Sequence, residues 1–130
     1  MNVPFLCVAI AFALLYTIKF PLSLAMARSK GGYDNANPRD QQATLEGWGR
    51  RAAAAQSNGY ESFPPFAAAV VMAHLAHANA RWTAAMAIAH VVSRALYQVF
   101  YVANVDKLRS TVWGVAAAAS AGIMLLAIFE

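Results

Sequence analysis

Hydrophobic residues arrive along this chain in long blocks with short polar connections between them. The first block runs from about Val3 to Ala27, and a helix needs about 20 apolar residues to cross a bilayer. A polar stretch follows, with the turn signals Gly31-Gly32 and Asn37-Pro38. A second helix starts between Asp40 and Thr44, either of which can cap it. Its first half is amphipathic and basic; its second half, from Phe63 to Ala80, is apolar. Pro64-Pro65 removes two helical donors, so a bend is expected near Tyr60 to Phe63. Ala78-Asn79-Ala80-Arg81 makes a tight connection to a third block, and Asn104-Val105-Asp106-Lys107-Leu108 leads to a fourth. The expected helices are roughly 3–27, 43–79, 82–103 and 108–129, in one domain covering 1–130: an all-α integral membrane protein with four transmembrane helices.

Composition strengthens this reading. Sixty per cent of the 130 residues are hydrophobic and 12% are charged, against about 25% charged in an ordinary soluble domain. A chain this short cannot hide so much apolar surface in a globular core, and lipid is the solvent that suits the excess. Ala25-Met26-Ala27 has the look of a signal-peptide cleavage site. However, no Lys or Arg precedes the first block, and the block is long and contains Lys19 and Pro21. A retained first helix is the expectation, kinked by Pro21, with Lys19 snorkelling to the headgroups.

Charge sets the orientation. Arg28, Lys30, Arg39, Arg50, Arg51, Lys107 and Arg109 fall on the connections of one side, and only Arg81 on the other. The positive-inside rule places those connections in the cytoplasm and both termini outside. The net charge of +4 is dispersed between the blocks, which suits anionic headgroups or a small anionic ligand and not nucleic acid. Cys7 is alone, which excludes an intrachain disulfide and CxxC chemistry. His74 and His77 have no nearby third ligand, so no metal site is expected. Gly114 and Gly122 let the fourth helix approach its neighbours closely.

The candidate chemistry lies in the polar residues at membrane depth, which mark function or pairing. Arg51, Asn58 and Glu61 share a stripe of the second helix, with Gln56 to one side. Arg94, Tyr97 and Tyr101, spaced i, i+3, i+7, share a face of the third. Antiparallel neighbours bring Glu61 and Arg94 to similar depth, and a buried ion pair between them is expected. Such a pair serves either a site or helix packing alone. Amide, carboxylate and guanidinium groups together suit a zwitterionic, peptide-like ligand. Arg109-Ser110 opens the fourth helix, where the helix dipole and the arginine charge favour an anion such as a thiolate.

Gly49-Arg50-Arg51-Ala52 followed by Gln56-x-Asn58-x-x-Glu61-x-Phe63-Pro64 resembles the second-helix signature of the MAPEG family, the membrane-associated proteins of eicosanoid and glutathione metabolism. Arg94-x-x-Tyr97-x-x-x-Tyr101 and Arg109-Ser110 resemble that family's third- and fourth-helix motifs. The likeness is to microsomal glutathione transferase-like, bacterial-type members. It implies a homotrimer of left-handed four-helix bundles that binds glutathione as co-substrate between subunits, near the cytoplasmic side. Arg51, Gln56, Asn58, Glu61, Arg94, Tyr97 and Tyr101 would line the glutathione site. Arg109 would activate the thiolate, accompanied by Ser110. The implied activity is that of a transferase or peroxidase acting on a hydrophobic small molecule, an electrophile or lipid hydroperoxide, that arrives through the bilayer. The pattern departs at Ala54, where some members carry a further arginine, and at Ser62, where some carry a tyrosine. The rival reading is a non-catalytic membrane protein whose polar stripe binds a lipid headgroup or only fixes packing. A transporter is disfavoured by the absence of inverted repeats.

Overall fold

A computed structural model describes residues 2–130. Six helices follow one another: α1 Val3–Thr17, α2 Lys19–Ala27, α3 Pro38–Thr44, α4 Gly47–Leu75, α5 Ala80–Val102 and α6 Asp106–Phe129. No strand interrupts them among the described residues. Among the described residues, three stretches are long and apolar enough to cross a membrane: the run Val3–Ala27, α5 and α6. Only 22% of the most apolar part of the first and last of these is buried. Phe12, Phe20, Leu125 and Ile128 point outward, as lipid-facing helices require. At 1.5 Å per residue α4 is about 44 Å long, but the charges in its first half set it apart from the other three.

The first block breaks at Ile18, three residues before Pro21. Pro21 has no N–H to offer the Thr17 carbonyl, and the helix restarts at Lys19. The break is clamped from α5. Gln98 Nε2 donates to the Leu14 carbonyl at 2.6 Å, and Thr17 Oγ1 donates to Gln98 Oε1 at 3.1 Å. Asn37-Pro38, a turn signal in the sequence, instead starts a short helix with Pro38 in its first turn. Leu45 and Glu46 are extended, so the long helix begins at Gly47 and not at 43. The polar connection is folded around Gln41. Its Oε1 accepts from the Asp34 N–H at 2.9 Å, and its Nε2 donates to the Gly32 carbonyl at 2.8 Å.

Both hairpins close with the same device. After α4 the Ala78 N–H donates to the Ala73 carbonyl, with His77 left-handed at φ 56. After α5 the Val105 N–H donates to the Phe100 carbonyl, with Asn104 at φ 62. These are Schellman closures, and His77 thus has a turn-forming role. Pro64 and Pro65 lie inside the unbroken α4, leaving the Tyr60 and Glu61 carbonyls without their usual helical donors.

Two apolar cores stabilise the bundle. One, at the end that holds the α4–α5 turn, gathers Cys7, Phe66, Val70, Ala87, Val91 and Ile123. The other, toward the basic connections, gathers Ile18, Leu22, Met26, Ala52, Ala55 and Tyr97. The helices approach closely where side chains are smallest: a Cβ on Gly49 would lie 2.7 Å from the Ala25 Cβ. Between the two cores runs a layer of polar side chains.

Candidate functional site

The polar layer is built on α4, α5 and the start of α6. Arg94 is buried, and its Nη1 donates to Asn58 Oδ1 at 2.9 Å. Asn58 Nδ2 in turn donates to Glu61 Oε2 at 3.3 Å. The direct ion pair expected between Glu61 and Arg94 is therefore replaced by a relay through an amide. Asn58 lies one turn before Glu61 on the same face and meets the guanidinium first, while Glu61 remains exposed. The second guanidinium nitrogen, Arg94 Nη2, is buried without a hydrogen-bond partner.

From Arg94 the row continues as alternating cations and phenols. The guanidinium stacks 4.3 Å from the Tyr97 ring centre, Tyr97 meets Tyr101 edge-to-face at 5.4 Å, and Arg109 stacks 4.5 Å from the Tyr101 ring. Helical spacing produces this order: Arg94, Tyr97 and Tyr101 fall on one face of α5, and Arg109 opens the helix packed against it. Stacking holds each cation in place without an acidic partner.

Three predicted residues stand outside the row. Arg51 Nε donates to the Val102 carbonyl at 3.1 Å, tying α4 to the end of α5. Gln56 is buried within α4, and Ser110 is exposed at the start of α6.

Beside Asn58, Glu61 and Arg94 lies a groove of about 340 Å³ between α4 and α6, a size suited to small ligands. Trp113, Ser120 and Met124 form its far wall. They escaped the sequence reading because α6 looks uniformly apolar. The signal that finds them is the spacing Trp113, Ala117, Ser120, Met124, which lies on one helical face. Ser120 also belongs to a buried network beneath the groove. His90 Nδ1 lies 3.1 Å from the Ala116 carbonyl and 3.0 Å from Ser120 Oγ, and its ring stacks on Phe66 at 3.8 Å. Ser120 Oγ donates to the Ala116 carbonyl, so the network assigns the proton to Nδ1, shared between that carbonyl and the serine oxygen. No group of three or more His, Cys, Asp or Glu residues suited to a metal occurs among the described residues.

The family model described as the MAPEG family matches residues 4–129 of this 130-residue chain. The chain belongs to the MAPEG family. No curated protein and no solved structure matches it. As a MAPEG protein with three helices of membrane-spanning length and composition, it is a multi-pass membrane protein of a family engaged in glutathione and eicosanoid metabolism. That family contains glutathione transferases and peroxidases as well as non-catalytic members. The groove and its row of cations therefore have to be judged on their own chemistry.

Proposed function

We propose that this MAPEG protein is a glutathione-dependent transferase or peroxidase acting on hydrophobic electrophiles or lipid hydroperoxides. The observation that carries this reading is the groove edged by Asn58, Glu61 and Arg94, which sets a guanidinium and an exposed carboxylate on one wall. Glutathione carries one ammonium and two carboxylates. Glu61 suits the ammonium, and Arg94 suits a carboxylate. Tyr97 and Tyr101 hold the cations that face the ligand. Arg109, with the start of α6, stabilises the thiolate, and Ser110 stands beside it. The sulfur then forms a bond to the electrophilic carbon, the leaving group departs with its electron pair, and the thiol proton passes to water. In the peroxidase variant two glutathione thiols become a disulfide while the hydroperoxide becomes an alcohol and water.

The fuller assembly belongs to the same proposal. The second half of α4 completes a set of four transmembrane helices, and three such bundles associate. The groove is open on one side, so a neighbouring protomer would cover it and contribute Arg51, whereas Gln56, buried within its own bundle, has a packing role. Both termini face away from the cytoplasm and the site faces it, as the distribution of Lys and Arg supports.

The test is glutathione titration and conjugation to an aryl halide by the purified protein. Losing one preorganised electrostatic stabiliser costs about 10²–10³ in kcat. Arg109→Ala is thus expected to lose about 100-fold or more in kcat with glutathione affinity changed only a few-fold. Absence of glutathione binding at millimolar concentration refutes the proposal. The engagement of Arg51 with the Val102 carbonyl favours a second reading, in which the row is a non-catalytic packing network. Absence of glutathione-dependent turnover in the wild-type protein, alongside lost stability in Arg94→Ala, would select it.

A further inference from the structure

The bundle has a second cavity at its other end, about 470 Å³ in volume and sharing no lining residue with the groove. It lies between the first turn of α1, the last turns of α4 and the first turn of α5. Val3, Phe5, Val70 and Ala73 make apolar walls, and His74 and His77 stand among them. The His74 ring packs 4.9 Å from Phe5.

Thr83 decides what the cavity can hold. It lines the cavity, it is only 5% exposed, and its Oγ1 has no hydrogen-bond partner. A buried hydroxyl without a partner destabilises a fold, so an acceptor brought to it stabilises both the protein and the complex. Among the described residues, no Asp, Glu, Lys or Arg lines this cavity. Its occupant therefore needs no charge neutralised there; it needs an apolar body and a neutral oxygen acceptor.

The position of the cavity supplies the rest. It sits at the ends of helices that are long and apolar enough to cross a bilayer, where hydrocarbon gives way to the polar interface. The neutral acceptor found at that depth, attached to an apolar body, is the carbonyl of a lipid ester. The volume lies within the range of small-molecule sites. We infer that this cavity binds the glycerol-ester region of a bilayer phospholipid, with the Thr83 hydroxyl donating to an ester carbonyl and the acyl chain lying on Val3, Phe5, Val70 and Ala73.

The experiment uses the full chain reconstituted in phosphatidylcholine vesicles. A trace of phosphatidylcholine carries a diazirine near the ester, and a second preparation carries the corresponding ether-linked lipid. After illumination, labelled peptides are quantified by mass spectrometry. Ester lipid is expected to label the segments 2–5 and 80–84, and ether lipid to label them about five-fold less, the worth of one neutral hydrogen bond. Labelling of the outward face of α6 around Leu125 should not differ between the two lipids. Thr83→Val keeps the side-chain size and removes the hydroxyl, and it should erase the ester preference. Equal labelling by ester and ether lipid in the wild-type protein overturns the inference, and so does an ester preference that survives in a folded Thr83→Val. The ester–ether comparison needs no variant, so it decides even if Thr83→Val does not fold. Glutathione is absent throughout, and the result bears on this cavity independently of the groove.

Discussion

Replacing Asn58 by alanine removes the amide that connects the two charged residues of the groove, and its cost can be worked from the contacts. Arg94 is buried and donates to Asn58 Oδ1 at 2.9 Å, while its Nη2 already lacks a partner. A hydrogen bond to a charged group contributes about 1.5–3 kcal/mol. Its loss leaves the guanidinium to the Tyr97 ring 4.3 Å away, and a desolvated cation–π contact is worth about 2 kcal/mol. Asn58→Ala is therefore expected to destabilise by about 2–3 kcal/mol. Glu61 touches the row through a 3.3 Å hydrogen bond from the Asn58 amide and is otherwise exposed, so Glu61→Gln should cost less than about 1 kcal/mol. Double-mutant cycles separate the two contributions. With Arg94→Met as the common partner, the cycle through Asn58 should give a coupling of about 2 kcal/mol and the cycle through Glu61 less than about 1 kcal/mol. Unfolding free energies measured in mixed micelles by tryptophan fluorescence supply the four corners of each cycle. A Glu61–Arg94 coupling equal to or larger than the Asn58–Arg94 coupling would refute the relay and restore a direct ion pair.

Two further outcomes follow from packing. A Cβ on Gly49 would meet the Ala25 Cβ at 2.7 Å, so α2 and α4 must separate to admit it; on Gly122 it would meet the flexible end of Met86 at 2.8 Å. Overpacking an unyielding site costs about 1–3 kcal/mol, so Gly49→Ala should lower the melting temperature clearly, whereas Gly122→Ala should leave it nearly unchanged; the reverse ranking would contradict the packing. Gln98→Leu removes the clamp on the Leu14 carbonyl and should cost about 1 kcal/mol, with faster amide exchange around residues 17–19. Unchanged exchange there would show that the break is held by Pro21 alone.

Much of the architecture is written in features that act locally. A run of apolar residues of membrane-spanning length needs no partner to be recognised, and neither does a proline that ends a hydrogen-bond ladder. The clamp at Ile18 depends on Gln98, 84 residues after Leu14, and no local pattern reports it. Asn37-Pro38 illustrates a different limit: proline suits both a turn and the first turn of a helix, and the choice follows from how Gln41 folds the connection over Met26 and Gly32. At the site, the Arg94–Tyr97–Tyr101 face follows from helical spacing alone. The expected partnership of Glu61 with Arg94 weighed charge above reach, and a shorter neutral side chain on the same face arrived first. His90 and Ser120 belong to one network, yet each alone looks like a stray polar residue in an apolar helix.

The relay changes what the groove can offer a ligand. A direct pair between Glu61 and Arg94 would satisfy each charge with the other, and a ligand would have to break it before binding. With Asn58 between them, the guanidinium bonds the amide oxygen through Nη1 and keeps Nη2 without a partner, while the carboxylate takes one amide hydrogen and stays exposed. Opposite charges are thus held apart on one wall, each with hydrogen-bonding capacity left over. Holding a buried cation in this way requires a rigid frame. The two apolar cores on either side of the layer provide it, and the aromatic faces of Tyr97 and Tyr101 brace Arg94 and Arg109 without neutralising them. On the proposed reading this wall would suit a ligand that carries both charges, since Glu61 and Arg94 do not neutralise each other.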